Sequence, residues 1–228
     1  MVQRMTNVIY IGYDPAEKKP YSVCLDSLYR VTDIPIRTLM KHHLSMYRRD
    51  RYYPDEPKST EFTFTRFLVP YLSNFSGFSL FCDSDFLFLR DPSILFETAS
   101  RFPETPLHVV KHPPYIPYTP VKMNDKPQHS QPRKNWCSLM LFNNSHPKIR
   151  EVFSLLNVNT RQNGKEFHTL ADFSDDEIGS IPLEWNCLDG YYHLENPAAI
   201  HYTDGGPWHG IHDTQYSDLW SIAYEKTR

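Results

Sequence analysis

The sequence feature that most constrains the fold is an apolar segment interrupted by two acidic residues. Phe78–Cys82 reads FSLFC and is followed by Asp83 and Asp85, after which apolar residues resume at positions 86–89. The first of these runs predicts a buried β-strand. Carboxylates in such surroundings are costly to desolvate unless a positive group pairs with them, and oxygen ligands are those that Mg²⁺ and Mn²⁺ prefer. The pattern therefore predicts either a cation site or a strand that ends in a solvated turn.

The residues before this strand predict where the acidic pair lies. A strand at Val8–Ile11, a helix at Tyr21–Val31 and a second strand at Pro35–Leu39 form a βαβ pattern. Ligands of α/β sheets bind at the carboxyl ends of the strands, which is where Asp83 and Asp85 stand. We therefore expect an α/β fold whose acidic pair lies at a ligand-binding edge.

Length and charge limit the class of protein. The chain has 228 residues, enough for one domain over 1–228, and a net charge of −3 with both signs mixed. This balance argues against a nucleic-acid or membrane-surface partner. The start of the chain shows no apolar signal segment, and no apolar run approaches the length of a membrane span. We therefore expect a soluble, cytoplasmic protein.

The composition also bears on redox state and on the kind of site. Cys24, Cys82, Cys137 and Cys187 are far apart and lack CxxC spacing, which predicts buried free thiols in a reducing compartment. The chain has only 8 glycines but 19 prolines, 15 tyrosines and 14 phenylalanines. This composition excludes a glycine-rich phosphate loop. It favours a binding site that is lined by aromatic side chains, as is common in sites for rings and sugars.

The turn after the first strand offers groups that suit a nucleotide. Gly12 provides backbone amides, Tyr13 an aromatic face and Asp14 a hydrogen-bond acceptor. These groups fit a base and a ribose. The alternative is an ordinary turn in which Asp14 and Pro15 begin a helix.

The middle of the chain continues the alternation of helices and strands. Arg66 lies among apolar residues within a helix predicted at about 62–74. It either reaches the surface or points into a site that needs a fixed positive charge. The other predicted elements are helices at Ser93–Ala99 and Pro147–Leu156, strands at Leu107–Lys111, Trp136–Phe142 and Ala199–Tyr202, and mostly loop at 41–58.

Two segments of the second half are open to two interpretations each. A proline-rich loop at about 112–134 is either a lid that faces an acceptor or a mobile insertion. His201 ends the last predicted strand, where a histidine is either structural or a ligand. The glycines and Pro207–Trp208 that follow it indicate a close approach of the backbone to an anion.

A third segment, Ser174–Ile178, has the form of a helix capping box. In that interpretation, Asp175 and Asp176 only favour the positive end of a short helix.

Taken in order, these motifs resemble the family-8-like glycosyltransferases of the GT-A, nucleotide-diphosphosugar transferase superfamily. The resemblance covers most of the chain and implies a single GT-A domain with a Rossmann-like, mixed but mostly parallel central sheet flanked by helices. The segments that carry it are Tyr10–Asp14, Thr65-Arg66-Phe67-Leu68 with Pro70, Phe81–Asp85, the strand ending at Asn143, Asp175–Ile178, Leu183–Asn186, and His201 with Pro207-Trp208.

The resemblance implies transfer of a hexose or deoxyhexose, with retention of configuration, from a UDP-sugar to a hydroxyl of a glycan or another acceptor. It implies Mn²⁺ or Mg²⁺ held by Asp83, Asp85 and His201, acting as a Lewis acid for the departing UDP. Such a domain can also be part of a larger glycan-building protein or complex. By position, the resemblance assigns Ile11, Gly12, Tyr13, Asp14, Arg66, Ser84, Gly206 and Trp208 to the nucleotide sugar, and Asp175 and Asp176 to the sugar pocket.

The chain departs from the family pattern at three places. Gly206 occupies the position of a lysine that grips the diphosphate, so Arg133, Lys134 or a backbone amide would have to replace it. The segment 135–138 reads NWCS in place of the family's Asn-Ala-Gly, which implies a different acceptor side. Asp176 stands where glutamine is common, and it either acts as a nucleophile or binds sugar hydroxyls.

Two other functions are compatible with these residues. In a phosphatase of the Asp-x-Asp class, Asp83 would attack phosphate, Asp85 would be the acid–base, and Asp175 and Asp176 would hold Mg²⁺. That motif normally opens its fold and carries Thr or Val where this chain has Leu87. The second alternative is a nucleotide-sugar binder without catalytic activity, which the missing lysine favours.

Overall fold

The structure, a computed structural model, describes residues 7–113, 121–122, 126–127 and 133–227. The proline-rich loop predicted at about 112–134 therefore lies mostly outside the described residues. The strands are β1 (Val8–Gly12), β2 (Ile36–Leu39), β3 (Phe78–Cys82), β4 (Phe86–Phe88), β5 (Leu107–Val109), β6 (Val121–Lys122), β7 (Lys126–Pro127), β8 (Leu139–Asn143), β9 (Ile178–Ser180), β10 (Cys187–Leu188) and β11 (Ala199–His201).

A six-stranded sheet in the order β2-β1-β3-β8-β5-β9 forms the centre of the fold. β2, β1 and β3 are parallel to one another, and so are β5 and β9, while β8 runs antiparallel to β3 and β5. The carboxyl ends of all the parallel strands therefore meet at one side, here called the carboxyl edge. This arrangement confirms the predicted mixed, mostly parallel α/β sheet.

A second sheet, β10-β11-β4, brings the end of the chain to the acidic pair. β4 contains the apolar residues that follow Asp85, and it pairs antiparallel with β11 so that Phe86 lies opposite His201. β10 and β11 are parallel. The predicted last strand at Ala199–Tyr202 is thus confirmed, although it ends at His201.

Helices flank the central sheet, and two hydrophobic clusters fill the space beneath them. Val8 and Tyr10 of β1 point into one cluster and Ile9 and Ile11 into the other, as the alternation of a strand requires. The helices are α1 (Lys18–Val31), α2 (Arg49–Tyr52), α3 (Val69–Leu72), α4 (Ser93–Ser100), α5 (Pro147–Val152), α6 (Leu155–Thr160), α7 (Lys165–His168) and α8 (Ser217–Glu225), with 3₁₀ turns at Pro15–Glu17, Lys41–His43, Thr65–Leu68, Trp136–Ser138, Leu183–Asn186 and Pro207–His209.

The helix predicted at about 62–74 is wrong as a continuous element. A 3₁₀ turn over Thr65–Leu68 is followed by a single helical turn, Val69–Leu72. Pro70 explains the break, because proline lacks an N–H donor and its ring clashes with the carbonyl four residues earlier, so it is tolerated only at the start of a helix.

Three further boundaries differ from the sequence prediction. The helix predicted at Pro147–Leu156 is divided because Ser154 accepts a hydrogen bond from the Asn157 amide and caps a new helix. The predicted strand Trp136–Phe142 begins only at Leu139, after a 3₁₀ turn. The strand predicted at Leu107–Lys111 ends at Val109.

Two predictions about side chains can also be compared with the structure. All four cysteines are buried and free, as predicted. Ser174 and Glu177 make one of the two contacts of a capping box: Glu177 Oε2 accepts from the Ser174 amide at 2.8 Å, but the Glu177 amide donates to the Ser174 carbonyl at 3.2 Å and not to its hydroxyl. The segment forms a turn before β9, however, so the predicted short helix is wrong.

Within the described part of the chain, no helix combines the length and apolar character that a membrane span requires.

Candidate functional site

Asp83, Asp85 and His201 converge at the carboxyl edge of the central sheet. One ligand atom from each lies within 4.8 Å of the others, and His201 Nε2 is 3.3 Å from Asp85 Oδ1. The pairing of β4 with β11 creates this proximity, together with a hydrogen bond of 3.0 Å from the Tyr202 amide to the Asp85 carbonyl. Residues that are distant in the sequence thus form one cluster, here called the Asp–Asp–His site.

The Asp–Asp–His site is shielded on the histidine side and open on the acidic side. His201 is only 2% exposed, and its ring stacks on Phe86 with a centroid distance of 4.4 Å and an interplanar angle of 13°. The side chains of Asp83 and Asp85 retain 17% and 26% exposure. Ser84, which lies between them, is buried. A ligand can therefore approach from the carboxylates, while the imidazole is held rigidly behind them.

The donor set of the Asp–Asp–His site fits a divalent cation. Two carboxylates and one imidazole are ligands that suit Mn²⁺, and Mg²⁺ accepts the carboxylate oxygens. Three protein ligands also leave positions for a substrate. Asp83, Asp85 and His201 are therefore the described residues that could hold the cation expected from the sequence.

Arg66 lies beside the site and binds one of its carboxylates. Its Nη1 is 2.7 Å from Asp83 Oδ1 and donates to the Cys137 carbonyl at 2.8 Å. The guanidinium carbon is 5.1 Å from the ring centroids of both Phe62 and Phe81, and the residue is 6% exposed. Arg66 therefore points inward, and among the described residues its ion-pair partner is Asp83. Its assignment to the diphosphate or sugar stays a prediction.

The turn after β1 is built largely as an ordinary helix start. Asp14 accepts hydrogen bonds from the Ala16 amide at 2.9 Å and from the Glu61 amide at 3.0 Å. Tyr13 is partly exposed, and its ring lies edge-on against Tyr21 at 4.9 Å. Ile11 is fully buried in the core beneath this turn. Asp14 therefore caps the start of a helical segment, as in the alternative of an ordinary turn. The nucleotide-binding roles of these residues stay predictions.

Gly12 is required by the close approach of an aromatic ring. A Cβ atom at this position would lie 2.6 Å from two ring atoms of Phe62, far inside van der Waals contact. Glycine avoids this clash because it has no side chain. The residue therefore allows the segment that carries Arg66 to pack directly on the end of β1.

The last motif of the chain, around Pro207–Trp208, contacts the 3₁₀ turn Pro15–Glu17. Trp208 Nε1 donates to Glu17 Oε2 at 2.8 Å, and His209 Nε2 lies 3.1 Å from Glu17 Oε1. Gly206 leaves room for the Trp208 ring, because a Cβ there would approach it to 2.4 Å. The structure therefore places Gly206 and Trp208 beside the turn that follows β1.

Asp175 is bound by Arg133, which is fully engaged. Arg133 Nε and Nη2 donate to Asp175 Oδ1 at 3.1 and 2.6 Å, Nη1 donates to the carbonyls of Thr169 and Leu170 at 2.8 and 2.7 Å, and Nη2 donates to the Phe173 carbonyl at 2.9 Å. These bonds use all five donors of a guanidinium. Arg133 is therefore not available as a replacement for the missing lysine in this conformation.

Asp176 is exposed, and no cation of the described residues forms an ion pair with it. The metal-ligand cluster found among the described residues contains neither Asp175 nor Asp176. Their assignment to the sugar pocket stays a prediction.

Sequence reasoning gave no role to two residues beside the site. Asn186 Oδ1 lies 2.9 Å from His201 Nδ1. His112 is 8% exposed and stacks on Tyr192 at 5.8 Å, and burial followed by the electrostatic influence of His201 lowers its pKa to about 3. The Leu183–Asn186 motif was the signal for Asn186, but only the fold shows what its side chain contacts.

The fold of this chain is that of several solved glycosyltransferases. The bifunctional glycosyltransferase WbbM superposes with a TM-score of 0.65, at 13% identity, over 98% of this chain and 50% of WbbM. GlyE from Streptococcus pneumoniae TIGR4 gives 0.61 at 16% identity, over 96% of this chain and 60% of GlyE. The galactosyltransferase LgtC, in complex with donor and acceptor sugar analogues, gives 0.60 at 12% identity, over 96% and 95% of the two chains.

The present chain thus spans half to three fifths of WbbM and GlyE, and nearly all of LgtC. The chain belongs to the family of Protein CDI from Arabidopsis thaliana, with which it is 37% identical over 227 residues, covering 96% of this chain and 86% of that protein. No family model matches the sequence.

Proposed function

We propose that this protein is a metal-dependent, family-8-like glycosyltransferase that moves a hexose or deoxyhexose from a UDP-sugar to a hydroxyl of a glycan or related acceptor. The observation that carries the proposal is the convergence of Asp83, Asp85 and His201 within 4.8 Å at the carboxyl edge of the sheet. α/β sheets bind their ligands at this edge.

The chemistry of the leaving group explains the ligand set. A departing nucleoside diphosphate accumulates negative charge, which a bound Mn²⁺ or Mg²⁺ would neutralise as a Lewis acid. Asp83, Asp85 and His201 would hold the ion, and Arg66 fixes the carboxylate of Asp83 through its contact of 2.7 Å. The residues of the chain thus keep the site rigid before the substrate arrives, which is what electrostatic catalysis requires.

The turn after β1 is the proposed nucleotide-binding region. Ile11, Gly12, Tyr13 and Asp14 belong to it, and the contacts of Glu17 with Trp208 and His209 bring the last motif to the same place. The ring of Tyr13 would stack on the uracil, while the backbone near Gly206 would approach the diphosphate.

Asp175 and Asp176 are proposed to act on the transferred sugar. Arg133 holds the carboxylate of Asp175, so Asp176 is the better candidate for a nucleophile. Retention of configuration would follow either from a glycosyl–Asp176 intermediate or from attack of the acceptor on the face that UDP leaves. Trapping a glycosylated Asp176 distinguishes the two routes.

The test begins with thermal unfolding of the wild type in the presence of UDP-glucose, UDP-galactose and UDP-rhamnose, each with and without Mn²⁺. The donor that stabilises the protein is then used in an assay of UDP release with a panel of acceptors. Asp85→Ala should abolish the Mn²⁺-dependent release, whereas the exposed Asp33→Ala should leave it unchanged. Full activity of Asp85→Ala contradicts the proposal.

A nucleotide-sugar binder without catalytic activity is the second candidate. It is favoured by Gly206 at the position of the family's lysine and by the full engagement of Arg133. Mn²⁺-dependent binding of a UDP-sugar without UDP release, over the whole acceptor panel, would support this candidate.

A further inference from the structure

Asn186 is a fully buried amide that contacts the imidazole of the Asp–Asp–His site. It is 0% exposed and ends the 3₁₀ turn Leu183–Asn186, directly before β10. β10 pairs with β11 so that Leu188 lies opposite His201. This pairing fixes the backbone of Asn186 relative to His201, and Asn186 Oδ1 lies 2.9 Å from His201 Nδ1.

The neighbours of Asn186 decide which way its amide points. Nδ2 lies 2.9 Å from Ser138 Oγ and 3.4 Å from the Asn135 carbonyl oxygen. The Ser138 hydroxyl donates its hydrogen to the same carbonyl at 2.6 Å, so its oxygen accepts from Asn186. A flipped amide would place its carbonyl oxygen against two acceptors. The Oδ1 atom must therefore face the histidine.

The orientation of the amide has a consequence for the imidazole. An amide oxygen only accepts, so the hydrogen bond with Asn186 requires a hydrogen on His201 Nδ1. A neutral imidazole that carries its hydrogen on Nδ1 presents a lone pair on Nε2. Nε2 is the nitrogen that faces Asp85 at 3.3 Å, inside the Asp–Asp–His site.

Asp85 alone would favour the opposite arrangement. Its carboxylate is a stronger acceptor than an amide, and a hydrogen on Nε2 would donate to it. That hydrogen would occupy the direction in which a cation has to bind. Asn186 opposes this outcome, because a His201 ring without a hydrogen on Nδ1 would leave a nitrogen lone pair facing the amide oxygen in a buried place.

We propose that Asn186 is a positioning residue that holds His201 with its hydrogen on Nδ1, so that Nε2 is free to bind a divalent cation, and that Ser138 and Asn135 in turn fix the amide of Asn186. This inference rests on the proposed cation site. Hydrogen bonds to the second nitrogen of a metal-binding histidine commonly change metal affinity about 10–100-fold when removed.

The first test measures Mn²⁺ binding by calorimetry, without turnover. Asn186→Leu keeps the size of the side chain but loses the acceptor, and should bind Mn²⁺ about 10–100-fold more weakly. Asn186→Asp retains an acceptor for His201 Nδ1, and the Ser138 hydroxyl can turn to donate to its second oxygen, so it should bind Mn²⁺ more tightly than Asn186→Leu. An Asn186→Leu protein that folds and binds Mn²⁺ as tightly as wild type overturns the inference.

A matched control separates positioning from general destabilisation. Asn144 is also 0% exposed and has an analogous pair of bonds, accepting from Ser79 Oγ at 2.8 Å and donating to the Ser76 carbonyl at 3.1 Å. It follows β8 at the end opposite the carboxyl edge. Asn144→Leu should lose stability but keep the wild-type affinity for Mn²⁺, and an equal loss of affinity in both leucine variants overturns the positioning role.

The second test needs no variant, and so remains decisive if Asn186→Leu does not fold. Long-range ¹H–¹⁵N correlation spectra of the metal-free wild type, at a pH where the ring is neutral, should show His201 with a hydrogen on Nδ1 and none on Nε2. A proton on Nε2 in that state overturns the inference. A wild type that binds neither Mg²⁺ nor Mn²⁺ instead refutes the proposed cation site itself, and the inference falls with it.

Discussion

Replacing Arg66 with methionine should destabilise the protein strongly, because Arg66 is the buried cation next to Asp83. The Nη1–Oδ1 distance is 2.7 Å, and the side chains are 7% and 17% exposed, so solvent screens the pair only weakly. Removing one partner of a buried ion pair costs about 3–5 kcal/mol, since the other charge stays behind. For a domain of this size, we expect the melting temperature to fall by roughly 6–20 °C.

The Arg66→Met protein also tests whether Arg66 and a cation compete for the same carboxylate. Methionine keeps the length and the apolar contacts with Phe62 and Phe81 but removes the positive charge. A divalent ion at Asp83 would supply the missing charge, so saturating Mn²⁺ should raise the melting temperature of the variant more than that of the wild type. Equal shifts would show that Arg66 has no influence on cation binding.

Arg90→Met is the matched control for this experiment. Arg90 also pairs with a carboxylate, Glu184, at 2.8 Å and lies over an aromatic ring, Trp185, at 5.6 Å. Its side chain is 47% exposed and that of Glu184 42%, so the loss should stay below about 1 kcal/mol. Chemical denaturation of the three proteins gives the comparison. An Arg66→Met protein that unfolds within about 1 kcal/mol of wild type would refute the reasoning, because the pair would then behave as a surface pair.

Two other predictions concern pH and packing. Burial lowers the pKa of His108 from 6.5 to about 4 and that of His112 from 6.5 to about 3, so both rings are neutral when folded and take up protons near pH 6.5 when unfolded. The stability from this source is complete above pH 6.5 and decreases as the pH falls toward the folded pKa values, by about 2 kcal/mol for each histidine at pH 5. NMR titration that finds either pKa near 6.5 in the folded protein would contradict this. Gly12→Ala should cost about 1–3 kcal/mol in denaturant unfolding, because the added Cβ meets the Phe62 ring at 2.6 Å. The double variant Gly12→Ala/Phe62→Leu should recover part of that loss, and strictly additive losses would argue against a clash between the two residues.

Local patterns in the sequence identified most elements but not their exact limits. The strands over Val8–Gly12 and Phe78–Cys82 follow from short apolar runs, and the long helix α1 follows from its periodicity. Short-range chemistry then decided the boundaries. Pro70 and Ser154 each ended or restarted a helix that the apolar pattern alone would have continued.

The sequence also predicted which residues form the site better than it predicted which other residues they contact. Asp83, Asp85 and His201 were expected from an apolar strand end and a resemblance, and the fold brings them together. Arg66 was expected at a diphosphate or sugar, which stays a prediction, and only the fold shows its protein partners, Asp83 and the Cys137 carbonyl. A side chain's partner depends on which strands pair, and that information is spread over the whole chain.

By itself, the sequence determined that two carboxylates follow a buried strand in an α/β chain, because that signal lies within a dozen consecutive residues. Only the tertiary structure decided that β11 pairs with β4, which carries His201 to Asp85, and that the turn before β10 places Asn186 behind the imidazole. The physical reason is that strand pairing and the packing of distant segments depend on burying the whole hydrophobic core. Contacts between residues so distant in the sequence cannot be predicted from local propensities.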